Sequence, residues 1–217
     1  MKTITRRNLL KFGVVGTVSG MLNATESWGE MVAKPTPREA EGPFYPVVDQ
    51  KDKDADMTRV AGQNGLAKGQ HVVISGSIRD TSGHPIENAG IDIWQANADG
   101  RYNHPRDPNP APKDSYFQGW AIILSDKNGQ YRFKTVKPGA YPASKKWMRP
   151  PHIHFKIFKH GYTELITQMY FPNEPLNASD LLFSNKTKSE QIAMTARQTG
   201  LNNGVIAYTY NIILSGR

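Results

Sequence analysis

Residues 120–136 read WAIILSDKNGQYRFKTV, and this stretch decides the fold class. It begins with an apolar run at 120–124, continues through a turn-forming Asp-Lys-Asn-Gly at 126–129, and ends with alternating apolar and polar residues at 131–136. Because side chains alternate between the two faces of a strand, this alternation predicts a strand with one buried face. The stretch therefore predicts two short strands separated by a turn.

The same pattern of short strands and turn signals recurs along the chain. Further strands are predicted at 72–78, 91–96, 152–158, 165–170 and 205–214. About seven short strands at this spacing predict an all-β fold, a single β-sandwich. The proline-rich residues 103–112 predict a surface loop, and residues 35–65 are polar and irregular. A short helix is predicted near the C-terminus at 189–199, ending near Gly200.

The N-terminus has the layout of an export signal. Thr5-Arg6-Arg7-Asn8-Leu9-Leu10-Lys11 precedes a mildly apolar run at 12–18, and the consecutive arginines resemble the twin-arginine signal. We therefore expect residues 1–33 to be a signal peptide and residues 34–217 to form one domain, with the mature start between 23 and 35. The expected location is the periplasm or the extracellular space. Since this route carries folded proteins, it also favours a protein that binds a cofactor before export.

The composition excludes several classes of protein. The 217 residues carry a formal net charge of +8 and include no cysteine, which rules out disulfides, zinc–thiolate sites, iron–sulfur clusters and thiol catalysis. Any metal must be held by His, Asp, Glu, Tyr or backbone groups. No apolar run reaches the roughly 18 residues of a membrane span. The basic residues are scattered rather than clustered with aromatics, so nucleic-acid binding is not predicted.

A pair of histidines is the sharpest chemical signal. In Arg149-Pro150-Pro151-His152-Ile153-His154-Phe155, the two histidines stand two apart on a predicted strand, so both imidazoles face the same side. Such a pair can form half of a metal site, but it equally fits two hydrogen-bonded histidines on a half-buried face. No carboxylate flanks the pair. Tyr102 and Tyr141, each beside a Gly-containing turn, are the remaining ligand candidates, although each alone would more commonly be a core or surface tyrosine.

Several segments carry a family resemblance when they are read in order. They are Asp92-Ile93-Trp94-Gln95-Ala96-Asn97, Gly100-Arg101-Tyr102, Lys137-Pro138-Gly139-Ala140-Tyr141-Pro142 and Arg149 to Phe155, followed by Leu165 to Phe171 and Ala207 to Leu214. Together they resemble the intradiol ring-cleavage dioxygenases, the family of protocatechuate 3,4-dioxygenase and catechol 1,2-dioxygenase. Glu41-Gly42-Pro43-Phe44-Tyr45-Pro46 resembles the family's N-terminal approach segment. The resemblance implies a prealbumin-like sandwich core with long loops.

The resemblance also implies a cofactor and its ligands. In this family a non-haem Fe(III) is held by two tyrosinates and two histidines, with a hydroxide in the fifth position. Carried over to this chain, the metal ligands are Tyr102, Tyr141, His152 and His154. Phenolates are hard, anionic donors that stabilise the ferric state, and tyrosinate ligation of iron also occurs in catalase.

Three residues receive further roles from the resemblance. Tyr141 is the ligand that leaves the iron when substrate binds and then acts as a base for the substrate hydroxyls. Arg149 stabilises the negative charge that develops during the reaction, and Gln168 helps to orient the residues around the ligands. The implied substrates are a small aromatic diol and O2, and the product is a muconate-type dicarboxylate that contains both oxygen atoms.

The chain departs from the family around residues 142–148. The relatives have an aromatic residue soon after the tyrosine and a longer insertion there, so this sequence leaves the particular catechol open. Lys145 and Lys146 hint at an anionic substituent on the substrate. The long N-terminal helical segment of catechol 1,2-dioxygenases is absent, and whether the chain forms an oligomer or needs a partner subunit stays open.

Two other functions compete with the dioxygenase hypothesis. Residues 76–91 resemble prealbumin-like binding and adhesion domains, so the chain could be a non-enzymatic binding module of the cell envelope. A different metalloenzyme on the same scaffold is the second alternative. An extradiol enzyme, however, needs two histidines and a carboxylate on ferrous iron, and tyrosines occupy the expected positions here. The other histidines are predicted to be surface or loop residues; these are His71, His84, His104 and His160.

Overall fold

The computed structural model describes residues 33–50, 52–202 and 204–217. Apart from residue 33, the predicted signal peptide lies outside these residues. Within the described ranges, no helix is long and apolar enough to cross a membrane.

Two sheets form the body of the domain. In the first, β1 (His71–Asp80) pairs with β4 (Gln130–Val136) and, in parallel, with both β10 (Val205–Thr209) and β11 (Ile212–Leu214), while β9 (Arg197–Asn202) lies at one edge beside β10. The second sheet has four antiparallel strands in the order β3-β2-β7-β8. Their bounds are Trp120–Leu124 for β3, Gly90–Trp94 for β2, His152–Phe158 for β7 and Leu165–Tyr170 for β8.

The smaller elements complete the chain. β5 (Tyr141–Ser144) and β6 (Trp147–Arg149) form a separate antiparallel hairpin. After β8 come a 3-10 turn at Pro175–Ser179 and two short helices, α1 (Leu181–Ser184) and α2 (Lys188–Met194).

The core lies between the two sheets. Ile74 and Phe133 from the first sheet pack with Ile91, Ile93 and Phe155 from the second, and all five side chains are buried. The alternation in residues 131–136 arises because every second side chain of β4 enters this core. The turn at 126–129 passes the chain from β3 in one sheet to β4 in the other, so these neighbouring strands do not pair with each other. This arrangement confirms the predicted all-β sandwich.

The helix prediction at 189–199 is wrong in its second half. Thr187 caps α2 through a reciprocal capping box with Glu190, and the helix ends at Met194. Residues 197–202 instead form β9, because their backbone pairs with β10. Tertiary pairing thus overrides the local preference. Three strands follow the helix, so it is not C-terminal, and the strand predicted at 205–214 is divided into β10 and β11.

One face of the second sheet points away from the sandwich core and is nevertheless buried. His154 of β7 and Gln168 of β8 lie on this face, and both are 2% exposed or less. The irregular segment 33–50 covers part of this face. It is held there by the Glu39 N–H, which donates to the Ile166 carbonyl at 2.9 Å, and by the Gln168 amide, which donates to the Ala40 carbonyl at 2.9 Å. A polar, solvent-excluded layer therefore lies outside the hydrophobic core.

Candidate metal centre

The four residues predicted to be metal ligands converge in this buried layer. The Tyr102 Oη lies 3.0 Å from the His154 Nε2 and 3.5 Å from the His152 Nε2, and the two imidazole nitrogens are 3.2 Å apart. The ring centroid of Tyr141 lies 5.4 Å from that of Tyr102 and 5.7 Å from that of His152. The structure therefore brings two phenols and two imidazoles together from three separate segments.

Local backbone geometry places the two tyrosines. Gly100, just before Tyr102, has a φ of +78°, and a Cβ there would lie 2.3 Å from the Ala140 carbonyl oxygen. Only glycine allows the two segments that carry Tyr102 and Tyr141 to approach this closely. Asn97 stabilises the turn, because its side-chain oxygen accepts the Arg101 N–H at 2.9 Å and its carbonyl accepts the Gly139 N–H at 2.9 Å.

The two imidazoles are held in different ways. The His152 Nδ1–H donates to the Pro150 carbonyl at 2.7 Å, which leaves the Nε2 lone pair directed at the cluster. The His154 ring is stacked on Trp94, with centroids 4.8 Å apart and planes 10° from parallel, and its Nδ1 has no hydrogen-bond partner among the described residues. Burial, together with the nearby Arg149 guanidinium, lowers the pKa of both histidines. Both imidazoles are therefore neutral at pH 7, as metal ligation requires.

The phenols are suited to a cation. Burial raises the pKa of Tyr102 and of Tyr141, while the Arg149 guanidinium acts in the opposite direction on both. Without a further positive charge, both phenols keep their protons at neutral pH. A metal ion bound between them would displace these protons, because coordination strongly favours the anionic form of a ligand.

The donor set fits a ferric ion. Across residues 33–50, 52–202 and 204–217, no group of three or more His, Cys, Asp and Glu side chains could hold a metal ion. The site thus depends on phenol oxygens to supplement the two imidazoles. Phenolate oxygens are hard, anionic donors of the kind that ligate ferric iron in proteins. Separations of about 3 Å between donor atoms suit ligands that share one ion at a distance of about 2 Å.

A buried cation lies beside the phenols. Arg149 pairs with Tyr141 across the β5–β6 hairpin, and its Nε donates to the Asp180 Oδ1 at 2.9 Å. Its Nη2 donates to the Gln168 Oε1 at 2.6 Å and to the Tyr170 Oη at 3.2 Å. Both members of the ion pair are buried, with side-chain exposures of 5% for Arg149 and 0% for Asp180. Gln168 is therefore placed to fix the guanidinium and the covering segment at the same time.

Sequence reasoning missed Asp180, although it is the counter-ion of Arg149. Its two carboxylate oxygens also accept hydrogen bonds from the Trp147 indole at 2.9 Å, the Tyr170 hydroxyl at 3.2 Å and the Phe183 N–H at 3.1 Å. An aspartate before an apolar Leu-Leu-Phe is typical of a helix N-cap, and Asp180 does cap α1. That signal identifies the cap but not the partner 31 residues earlier in the chain.

His104 lies in the 103–112 loop, as predicted. It is a buried loop residue, with only 2% of its surface exposed. Its Nδ1 accepts the Arg106 N–H at 3.1 Å, and its ring lies 5.7 Å from that of Phe44. His84 and His160 are exposed as predicted.

Comparison with known proteins agrees with this geometry. A family model described as "Dioxygenase" matches residues 40–216. The chain is 38% identical over 187 residues to the protocatechuate 3,4-dioxygenase beta chain of Burkholderia cepacia, and the match covers 83% of this chain and 79% of the relative. The chain therefore belongs to the intradiol ring-cleavage dioxygenase family.

More distant relatives agree in fold. Catechol 1,2-dioxygenase of Acinetobacter baylyi is 29% identical over 164 residues, which cover 70% of this chain and 51% of that protein. This chain thus spans about half the length of that relative. The solved structure of hydroxyquinol 1,2-dioxygenase from Pseudomonas putida DLL-E4 superposes with a TM-score of 0.67 at 19% identity, covering 85% of this chain and 68% of the other.

Replacing Asp180 with alanine should destabilise the domain strongly. The change leaves the buried Arg149 without its counter-ion, and removing one partner of a buried ion pair costs about 3–5 kcal/mol of unfolding free energy. Urea denaturation of the purified protein measures this loss. Asp49→Ala is the matched control, because Asp49 pairs with Lys53 on the surface and is 81% exposed. Equal denaturation midpoints for the two variants would contradict the structural role given to Asp180.

Proposed function

We propose that this chain is an Fe(III)-dependent intradiol dioxygenase. It inserts both atoms of O2 into a catechol-type aromatic, between the two hydroxyl-bearing carbons, and releases a muconate-type dicarboxylate. The observation that carries this proposal is the buried convergence of two phenols and two neutral imidazoles, with no carboxylate from the described residues among them. The activities that the relatives' names describe, on protocatechuate, catechol and hydroxyquinol, support the same class of substrate.

Tyr102, Tyr141, His152 and His154 would hold the iron. When bound there, Fe(III) would supply a Lewis acid that takes up the diol and draws electron density from its ring. His152 is suited to this task because its Nδ1–H bond to the Pro150 carbonyl fixes the tautomer that leaves Nε2 free. Tyr102 is fixed as well, since its own backbone N–H donates to the Asp107 carboxylate at 2.7 Å.

Tyr141 is the ligand best placed to exchange a proton with the substrate. The diol must lose its hydroxyl protons to bind as an anion, and the Tyr141 phenolate oxygen would accept one of them. Tyr141 stands at the start of the two-stranded β5–β6 hairpin, outside both large sheets. Burial raises the pKa of the Tyr141 phenol, which favours its protonated form, while the Arg149 guanidinium acts in the opposite direction.

Arg149 would stabilise the anions that form on the substrate. Its guanidinium is buried and is held by Asp180 and Gln168, so little reorganisation is needed when negative charge develops nearby. The planar fork of donors fixes its direction, which a lysine could not reproduce.

The binding-module alternative receives no support from the position of its motif. Residues 76–91 lie in the second half of β1, the following turn and the start of β2. Ile78 and Ile91 from this segment are fully buried in the sandwich core. The resemblance of this segment to prealbumin-like modules therefore follows from the shared fold.

Turnover under 18O2 tests the proposed reaction. The iron-loaded protein is expected to convert at least one of catechol, protocatechuate and hydroxyquinol into a ring-opened dicarboxylate with both oxygen atoms labelled. Mass spectrometry of the product measures the incorporation. The matched control is Tyr102→Phe, which removes one ligand oxygen and should abolish turnover. A product with a single labelled oxygen, or an aldehyde from cleavage beside the diol, would refute the intradiol reaction.

We further propose that the protein is exported by the twin-arginine route, on the basis of Arg6-Arg7 and the apolar run that follows. Replacing both arginines with lysine preserves the charge but should keep the protein in the cytoplasm. Cell fractionation and immunoblotting of the native host measure the distribution, and Lys2→Arg is the control that should leave export intact. Undiminished export of the double variant would contradict this proposal.

A further inference from the structure

The two histidine ligands differ in what fixes their rings. His152 has a hydrogen bond from its Nδ1 to a backbone carbonyl, whereas the His154 Nδ1 is buried and no residue in the described part of the chain is hydrogen-bonded to it. Metal-binding histidines are normally oriented by a hydrogen bond at the nitrogen that does not bind the metal. The orientation of His154 must therefore come from packing.

The packing around His154 is aromatic. Its ring is stacked on Trp94 at 4.8 Å, with the planes only 10° from parallel. Tyr45 then meets Trp94 edge-on, with ring centroids 5.0 Å apart and planes at 85°. These are the two favoured geometries of aromatic pairs. Gly42, three residues before Tyr45, lies against the edge of the imidazole. A Cβ at this position would be 3.4 Å from the His154 Cε1.

A buried carboxylate holds the outer end of this stack. Asp92 precedes Trp94 by two residues on β2, so both side chains project from the same face of the sheet. It is 4% exposed, and its two oxygens accept hydrogen bonds from the Tyr45 hydroxyl and the Trp120 indole, each at 2.7 Å. The Lys156 ammonium lies 5.2 Å from the centre of the Tyr45 ring.

We infer that Tyr45 and Asp92 are positioning residues for the metal ligand His154. The Tyr45–Asp92 hydrogen bond fixes the Tyr45 ring, this ring fixes the Trp94 indole, and the indole sets the plane of the imidazole. The inference rests on the proposed function, since it assigns a purpose to a stack that ends on a ligand of the proposed iron site. It gives the covering segment 33–50 a part in metal binding although the segment contains none of the ligands.

Two hydrogen bonds allow Asp92 to serve as a fixed anchor although its carboxyl group is buried. An isolated carboxylate in this position would be costly to bury, and burial indeed raises the pKa of Asp92, whereas its two hydrogen bonds act in the opposite direction. Burial also raises the pKa of Tyr45, so its hydroxyl remains a donor at all working pH values. The bond between the two residues is thus directional and persistent.

The test compares two tyrosine-to-phenylalanine variants of the full-length protein. Tyr45→Phe removes only the hydroxyl that binds Asp92. Tyr131→Phe is the matched control, because its hydroxyl donates to the Tyr210 carbonyl at 2.6 Å in the core, away from the metal ligands. The rate of iron loss to an excess of a ferric chelator is measured for each iron-loaded protein. Tyr45→Phe should lose iron about 10-fold faster than the wild type, and Tyr131→Phe at the wild-type rate.

A metal-free readout separates this inference from the proposed function. The stacked indole should shift the His154 Cε1–H proton resonance upfield in the apoprotein, and Tyr45→Phe should reduce this shift without moving the corresponding resonance of His152. Asp92→Asn combined with Tyr45→Phe should add little to either single change. If Tyr45→Phe loses iron at the same rate as Tyr131→Phe and has the same His154 resonance, the inference is overturned. If the wild-type protein binds no iron, but Tyr45→Phe still changes the His154 resonance of the apoprotein, the proposed function alone is overturned.

Discussion

The structure depends on one constraint, which is that the polar face of β7 must be buried. Ile153 and Phe155 enter the sandwich core, so His152 and His154 necessarily point to the other side of the sheet. Water is excluded there by segment 33–50 and the β5–β6 hairpin. Most polar groups in this layer are therefore hydrogen-bonded to one another, and the layer becomes a network in which the candidate ligands, the cation and the carboxylates hold each other in position.

Two buried carboxylates anchor this network from opposite sides. Asp180 holds Arg149 beside the phenols, and Asp92 holds the aromatic stack that ends on His154. Within the part of the chain that the structure describes, neither carboxylate is hydrogen-bonded to Tyr102, Tyr141, His152 or His154, and each acts through a second side chain. This division leaves the cluster itself free of carboxylate oxygens, so that phenols supply its anionic donors. A site with that composition favours ferric over ferrous iron.

The sequence allowed most of the strands and the shared face of the two histidines to be predicted, because both depend on local patterns, whereas the full set of four candidate ligands rested on family resemblance. Short apolar or alternating runs between turn signals predicted β3, β7 and β8 with their observed bounds, and the His-x-His spacing on β7 required both imidazoles to share a face. The residues that depend on tertiary contacts could not be found in this way. Asp180 resembles an ordinary helix cap, and β9 has no strand signal until it pairs with β10. The roles of Arg149 and Gln168 rested on family resemblance, and the structure brings both beside the cluster.

The absorption spectrum of the iron-loaded protein tests the ligand assignment most directly. Tyrosinate bound to Fe(III) gives a broad visible charge-transfer band, which should shift when a catechol is added under argon. The band should weaken in Tyr102→Phe and in Tyr141→Phe, and it should persist in Tyr131→Phe, whose hydroxyl lies in the core. A protein that stays colourless after reconstitution with ferric iron would contradict the central claim that these two phenols are metal ligands.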